Sequence, residues 1–200
     1  KERGLISCIV SGVRSAKSKQ NAAIYKPMNI VNVVIYDHNT DKLHRIKEIN
    51  LAWHFQKINW DVVYSSAAIF ILEVARNAIK EREANYPLYD FLESFFIHLD
   101  QSQTINVNIH LNFLARLSTY LGIAPMDNYS DTNPCFNIVE GMYQSADTIQ
   151  YVLDKATSRL FFQLCQESQE NKDLIQTSRN ERNQLTEVWL QYYQHHIHGF

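Results

Sequence analysis

The hydrophobic pattern of this 200-residue chain changes from strand-like to helical near residue 57. Before that point, three apolar segments have the composition of β-strands: Leu5–Val13, Met28–Tyr36 and Leu43–Leu51. Beyond it, apolar residues recur with the spacing of amphipathic helices. The sequence therefore predicts an α+β chain, with a small β domain over residues 1–57 and an all-α helical domain over residues 58–200.

The predicted β domain is expected to be part of a barrel. A turn cluster at residues 37–41 separates the last two segments, which are predicted to form a hairpin. In the third segment Leu43, Ile49 and Leu51 share a face that Ile46 does not, and a β-bulge would explain the break. Three strands cannot close a barrel. Because the chain begins with Lys1 and not with Met, further strands are expected to precede it.

The remainder of the chain predicts five helices and an irregular insertion at residues 123–144. The helices are expected at residues 59–82 with Asn59 as cap, from Asn85 onward, at 105–121 with Gly122 as stop, at 147–165, and after a capping box at Ser178–Glu181. Residues 136–143 inside the insertion resemble a small hairpin, and residues 166–176 a polar connector.

Charge is distributed unevenly between the two parts. Residues 1–55 hold nine cations and four anions, a net charge of +5, whereas the remaining residues hold ten cations and seventeen anions, a net charge of −7. This asymmetry predicts a polyanionic partner for the first part only.

The basic residues of the first part form the candidate nucleic-acid site. Arg14, Lys17 and Lys19 follow Gly12 on a predicted flexible segment, and Arg45 and Lys47 share one face of the third strand. Such cations suit contacts with a phosphate backbone, although a solvated basic loop has the same composition. Possible base-stacking groups are His44, Tyr25 and Tyr36, and the alternative for the two tyrosines is a place in the barrel core.

The composition excludes several other classes of protein. With 46% hydrophobic and 12% aromatic residues the chain can bury a core, and no apolar run reaches the ~18 residues of a membrane span. A signal peptide is not recognisable, so a cytoplasmic location is expected. Cys8, Cys135 and Cys165 lack CxxC spacing, which argues against a disulfide framework and against a local zinc knuckle.

The sequence contains no recognisable catalytic motif, and no cofactor is expected. The P-loop, GxSxG and HExxH patterns are all missing. An alternative is a metal-dependent hydrolase that uses His195 and His198, which are spaced to share one side of a helix. The simpler interpretation is a helix C-terminus that favours histidine. A third interpretation is an RNA-binding β module.

The third predicted helix has more apolar residues than one narrow stripe requires. Phe113 and Leu117 flank Arg116, and a groove of this composition would suit an acidic peptide with an apolar end. Ordinary core packing is the alternative.

Three segments together resemble the RecO family of DNA repair and recombination mediators, particularly its Bacteroidetes-type members. They are Gly12-Val13-Arg14 with Ser18-Lys19 and Tyr25-Lys26-Pro27, then Leu43–Ile49 leading to Phe55, and finally the C-terminal Tyr192–Phe200. Each is short, but their order and spacing cover nearly the whole chain.

The resemblance implies an N-terminal OB-fold, a helical C-terminal domain and a nucleoid-associated protein. It implies binding of single- and double-stranded DNA, strand annealing, and help in loading RecA, with RecR and the acidic tail of single-strand binding protein as partners. It places Arg14, Lys17, Lys19, Arg45 and Lys47 on the DNA-binding domain. His196, Gly199 and Phe200 would match the terminal motif in a structural role. Zinc-carrying members have four cysteines, of which only Cys135 remains here, so no zinc is expected.

Overall fold

The computed structural model describes residues 2–10, 22–36, 43–80, 83–147, 152–170 and 175–200. Its elements confirm the predicted α+β class, since a small sheet precedes the helices. The strands are β1 (Cys8–Ile9), β2 (Val31–Tyr36), β3 (His44–Leu51), β4 (Cys135–Asn137) and β5 (Met142–Gln144). The helices are α1 (Val62–Ala78), α2 (Tyr86–Gln101), α3 (Ile109–Tyr120), α4 (Lys155–Glu170) and α5 (Arg179–His196).

The chain divides into two compact units. Unit 1 consists of Lys1–Leu72 and Lys80–Gln103, and unit 2 of Glu73–Ile79 and Thr104–Phe200. Unit 1 thus contains α2 and the first part of α1 as well as the sheet. The units differ in extent from the predicted domains, whose boundary between residues 57 and 58 stays a prediction.

The sheet of unit 1 has the strand order β1-β3-β2. β3 pairs in parallel with β1 and antiparallel with β2, which confirms the predicted hairpin. A strand that lies between an earlier parallel neighbour and its own hairpin partner excludes a simple meander. The five-stranded barrel of OB-folds is likewise a Greek key and not a meander.

The predicted β-bulge lies in β3. Val34 pairs with Glu48 and the next residue, Ile35, pairs with Ile46, which leaves Lys47 without a partner in β2. The extra residue reverses the alternation of side chains at this point. This reversal explains why Ile46 and Ile49 can lie on the same side of the sheet although they are three residues apart.

A buried carboxylate at the end of α2 holds the segment between the sheet and α1. Asp100 is 5% exposed, and its Oδ1 accepts hydrogen bonds from the backbone N–H groups of Gln56 (3.0 Å), Lys57 (2.8 Å) and Ile58 (3.0 Å). The Gln56 N–H also lies 3.0 Å from Oδ2. Successive N–H groups that converge on one anion satisfy donors that would otherwise be buried without partners.

Side chains near the Asp100 carboxylate add further contacts between the connecting segment and α2. The Tyr64 hydroxyl donates to the Ser102 carbonyl at 3.0 Å, and the Lys57 ammonium donates to the same oxygen. The Phe55 ring packs on Phe96 at a centroid distance of 6.5 Å. The chain between β3 and α1 is therefore fixed to α2 by both polar and apolar contacts.

The predicted starts of α1 and α3 are wrong because other contacts take precedence. Asp61, not Asn59, caps α1: its Oδ1 accepts from the Val63 N–H at 2.8 Å. The Asn59 amide instead donates to the Phe55 carbonyl at 3.1 Å. α3 begins at Ile109 rather than at residue 105, and the Asn108 side chain bonds to the Ile175 carbonyl at 2.9 Å instead of capping α3.

α4 is displaced along the chain from its predicted range of 147–165. Val152 forms a bridge with Asn137, and the Leu153 N–H donates to the Phe136 carbonyl at 2.9 Å, so these residues extend the small β4–β5 hairpin. Asp154 then caps the helix through the Thr157 N–H at 2.9 Å. At its other end α4 continues to Glu170, into the predicted connector.

The last helix begins as predicted. The Ser178 hydroxyl accepts from the Glu181 N–H, and the Glu181 carboxylate accepts from the Ser178 N–H at 2.7 Å. This reciprocal pair confirms the capping box. Hydrogen bonding of the Glu181 carboxylate to the Ser178 side chain and to the Ser178 backbone N–H lowers the pKa of Glu181, whose charge also lies at the positive end of the helix dipole.

Replacing Asp100 with alanine should destabilise the protein by at least about 2 kcal/mol, because three converging N–H groups lose their acceptor. Asp100→Asn should lower the free energy of unfolding by less than Asp100→Ala does. The amide oxygen can still accept hydrogen bonds, although the NH₂ group then lies next to other donors. Urea unfolding measures both changes. Glu187→Gln, which changes an exposed carboxyl on α5, is the control and should change stability by less than about 0.5 kcal/mol. Equal midpoints for Asp100→Ala and the wild type would contradict this account.

Candidate nucleic-acid interface

One side of the unit 1 sheet faces solvent along all three strands. Alternation and the bulged register place seven residues on this side, and each of them is exposed. We call them the outer face: Ile9, Asn32, Val34, Tyr36, Arg45, Glu48 and Asn50. A hydrogen bond between the side chains of Asn32 and Asn50, 3.3 Å long, runs across this face.

Arg45 stands at the centre of a row that crosses the sheet. It is the register partner of Ile9 in β1 and of Tyr36 in β2. Directly opposed residues on antiparallel strands bring their Cβ atoms to about 5 Å. Tyr36 is 45% exposed and Ile9 is 50% exposed, so the two register partners of Arg45 are an accessible aromatic residue and an accessible aliphatic residue.

Lys47 is exposed at the bulge, where it pairs with its neighbour in the sequence. Its Nζ lies 3.8 Å from Glu48 Oε1, and both side chains are more than half exposed. Adjacent residues of a regular strand point to opposite faces, so the bulge makes this pairing possible. Glu48 is therefore an anion placed among the cations of the candidate site.

The structure does not place the other predicted site residues of the β domain on the outer face. Arg14, Lys17 and Lys19 lie outside the described residues. His44 is half-buried and pairs with Cys8 in register, on the side opposite to the outer face. Tyr25 is half-buried at the end of a short 3₁₀ helix, Ala22–Tyr25. Among the residues that the structure describes, the predicted stacking group that shares a face of the sheet with a predicted cation, Arg45, is Tyr36.

The outer face includes residues that the sequence prediction did not single out. Val34 and Asn32 lie two and four residues before Tyr36 in the same strand, so the alternation of side chains predicts that they share its face. Ile9 and Glu48 required knowledge of the parallel pairing and of the bulge, neither of which the sequence pattern locates.

The predicted peptide groove on α3 needs correction. Phe113 and Leu117 are completely buried in unit 2, and Arg116 is half-buried. The two apolar side chains are surrounded by the core and cannot form the walls of an open groove. Core packing, the alternative interpretation, accounts for both of them.

The side chains of the C-terminal motif, Tyr192–Phe200, make contacts within unit 2. The Tyr193 hydroxyl donates to the Leu114 carbonyl and the Tyr192 hydroxyl to the Ile123 carbonyl, each at 2.7 Å. The His196 ring lies 4.1 Å from the Tyr192 ring, with its Nε2 3.0 Å from the Ile138 carbonyl oxygen. Burial raises the pKa of both tyrosines, so they remain neutral donors.

The histidine and cysteine side chains are the candidate metal ligands of the described part of the chain. His195 and His198 are exposed, and no group of three or more His, Cys, Asp or Glu residues there could hold a metal ion. Cys135 is buried, Cys165 is half-buried and Cys8 is exposed. The described histidines and cysteines therefore do not come together as a structural zinc site or as a metal site for the hydrolase alternative.

Comparisons with known proteins agree with this architecture. Residues 1–55 match the family model described as "Recombination protein O N terminal", and residues 60–199 match "Recombination protein O C terminal". Both parts of the chain thus match one class, the recombination and repair proteins.

Curated relatives carry the name "DNA repair protein RecO". One from Flavobacterium psychrophilum is 32% identical, covering 93% of this chain and 77% of the relative. One from Christiangramia forsetii is 29% identical, covering 98% and 82%, and one from Phocaeicola vulgatus is 29% identical, covering 100% and 83%.

The chain belongs to the RecO family of DNA repair proteins. Its N-terminal sheet is accordingly OB-like, and the name of its curated relatives describes a DNA repair protein. The helices in the described part of the chain do not include a candidate membrane span.

A substitution at Gly141 tests the packing of the C-terminal motif. Its φ of +68° is strained for other residues, and an added Cβ would lie 3.0 Å from the Tyr192 hydroxyl oxygen and 3.5 Å from a His196 ring carbon. Gly141→Ala should destabilise the protein by about 1–3 kcal/mol from the backbone alone, and further through the displaced hydroxyl.

Gly122→Ala is the matched control for this substitution, since Gly122 has a φ of +72° but nothing within 4 Å of the added Cβ. Thermal or urea unfolding should show the larger loss for Gly141→Ala. Equal losses would mean that the Tyr192 contact contributes nothing.

Proposed function

We propose that this chain is a recombination mediator that binds single- and double-stranded DNA through its basic N-terminal part. The observation that carries the proposal is the exposed row of Tyr36, Arg45 and Ile9 across the OB-like sheet, in a chain of the RecO family. An exposed cation beside an aromatic ring suits a nucleotide, because the guanidinium meets the phosphate while the ring stacks on the base.

Arg14, Lys17 and Lys19 extend the proposed site on sequence grounds, and Lys47 adds a cation at the bulge. These contacts would be independent of base sequence, since phosphates carry no sequence information. We propose further that the chain anneals complementary strands and helps to load RecA onto DNA coated with single-strand binding protein. RecR and the tail of single-strand binding protein would be its partners at the nucleoid, in the cytoplasm.

Arg45→Ala should weaken binding of single-stranded DNA and reduce the salt dependence. Loss of one phosphate contact lowers the slope of log K against log salt by about 0.7. The triple variant Arg14→Ala, Lys17→Ala, Lys19→Ala should lower it further. Glu48→Gln should instead strengthen binding, because it removes an anion from the outer face and releases Lys47 from its ion pair.

Fluorescence anisotropy with a labelled oligonucleotide, repeated over a range of salt concentrations, measures these changes. Arg179→Ala is the control, since this exposed cation belongs to the acidic helical part. An unchanged slope for Arg45→Ala would remove the outer face from the site. Preference for RNA over DNA of the same sequence would favour the RNA-binding alternative.

Tyr36→Ala should weaken binding of single strands by about 1–3 kcal/mol if its ring stacks on a base, whereas Tyr36→Phe should retain the affinity. An oligonucleotide that lacks its bases provides the control, because it keeps the phosphates. The two variants should bind this abasic strand equally. An equal effect of Tyr36→Ala on both strands would contradict stacking.

The proposed peptide partner is tested at Arg116. A carboxylate-rich tail peptide should bind the whole chain more weakly after Arg116→Glu, because the charge facing the peptide is reversed. Arg159→Glu makes the same change at an exposed position of α4 and should leave the titration unchanged. Equal affinities for the wild type and Arg116→Glu in calorimetry would exclude Arg116 as a contact of the peptide.

A further inference from the structure

The outer face carries an anion near its centre, although a polyanion is the proposed ligand of this face. Of the outer-face residues, Arg45 is positively and Glu48 negatively charged. The Glu48 side chain is 67% exposed, and its register partner is Val34. Glu48 therefore lies between the row of Arg45 and the row formed by Asn32 and Asn50. A phosphate at this point would be repelled, so phosphate binding does not account for the anion.

The ion pair with Lys47 does not account for the anion either. The Lys47 Nζ lies 3.8 Å from Glu48 Oε1, and both side chains are more than half exposed. Water and salt screen such exposed pairs, so they contribute little to stability. Val34, opposite Glu48, has no polar group to offer. The carboxylate is thus accessible to a ligand, with a cation beside one of its oxygens.

Glu48 lies one row away from the ring that is proposed to stack on a base. Tyr36 pairs with Arg45, and Val34 pairs with Glu48, so Tyr36 and Glu48 occupy diagonal positions on adjacent strands. Diagonal neighbours are about 7–8 Å apart, within reach of aromatic and long side chains. A base that stacks on Tyr36 with its phosphate at Arg45 can therefore bring its polar edge to the Glu48 carboxylate.

The four bases offer this carboxylate different partners. A carboxylate accepts hydrogen bonds and donates none. On its Watson–Crick edge, unpaired guanine presents two adjacent donors, the N1–H and the N2 amino group, which match the two carboxylate oxygens. Thymine presents one N–H between two carbonyl oxygens, and these repel an anion. Adenine and cytosine each present one amino group beside a ring nitrogen that accepts.

We propose that Glu48 is a specificity residue of the outer face, which accepts hydrogen bonds from the Watson–Crick edge of an unpaired guanine stacked on Tyr36. This inference rests on the proposed function and adds a base contact to the phosphate contacts. In a duplex the same edge is used in base pairing, so Glu48 meets only phosphates and weakens binding. The preferred ligand is therefore a single strand that contains guanine.

Fluorescence anisotropy of the full chain with two labelled strands of equal length tests the base contact. One strand contains thymine alone, and the other has isolated guanines in place of some thymines. The wild type should bind the guanine strand at least about fivefold more tightly, the lower end of the discrimination that a bidentate contact provides.

Glu48→Gln should lose most of this preference, because its amide keeps one acceptor and sets an NH₂ group against the second donor of guanine. For the thymine strand and for a duplex, the same variant should bind more tightly than the wild type, since it removes an anion without losing a base contact. A purely electrostatic role of Glu48 would instead change the affinities for both single strands by the same factor.

Two controls separate hydrogen bonding from stacking and from net charge. A strand with inosine in place of guanine keeps the purine rings and the N1–H but lacks the N2 amino group, so its affinity should lie between those of the other two strands. Glu2→Gln removes an exposed carboxylate from the same basic part, outside the strands of the outer face, and should keep the full preference for guanine.

Three results would overturn the proposal and leave DNA binding at the outer face intact. They are equal affinities of the wild type for the guanine and thymine strands, a guanine preference that Glu48→Gln leaves unchanged, and an inosine strand that binds as tightly as the guanine strand. An Arg45→Ala variant that binds both strands as tightly as the wild type would have a different meaning. It would remove the outer face from the DNA site, and the proposed site would fail together with this inference.

Discussion

The hydrogen bonds of the Asp100 carboxylate are the constraint on which unit 1 depends. Three successive N–H groups of the connecting segment converge on this one buried anion at 2.8–3.0 Å. Without it, the chain between β3 and α1 would leave donors unsatisfied next to Ile58, which is completely buried. The carboxylate thereby joins the OB-like sheet to α2, and a segment with a loop-like sequence becomes a fixed connection.

That connection matters because the sheet carries the candidate site on its exposed side. The bulge in β3 sets which residues share that side, and it places Arg45 between Tyr36 and Ile9 while Lys47 pairs with Glu48. A cation next to an accessible ring is a reasonable contact for a nucleotide. Membership of the RecO family supplies the biological context, DNA repair, for an arrangement that chemistry alone would only suggest.

Unit 2 depends on a different kind of anchoring, in which the aromatic side chains of α5 also act as hydrogen-bond donors. The hydroxyls of Tyr192 and Tyr193 each end on a backbone carbonyl, and Gly141 provides the space that the first of them needs. Residues that form a recognisable family signature can therefore be structural. The same holds for Phe113 and Leu117, whose apolar character reflects the core and not a partner.

The order of strands and helices, the capping box at Ser178 and the charge asymmetry could all be read from the sequence, because each depends on residues close together in the chain. The bulge was foreseen from broken alternation, but its residue was not. The start of α4, the burial of Phe113 and the role of Asp100 were decided by the tertiary structure. Each depends on a partner tens of residues away, such as Phe136 for Leu153 or Ile58 for Asp100, and local periodicity carries no information about such pairs.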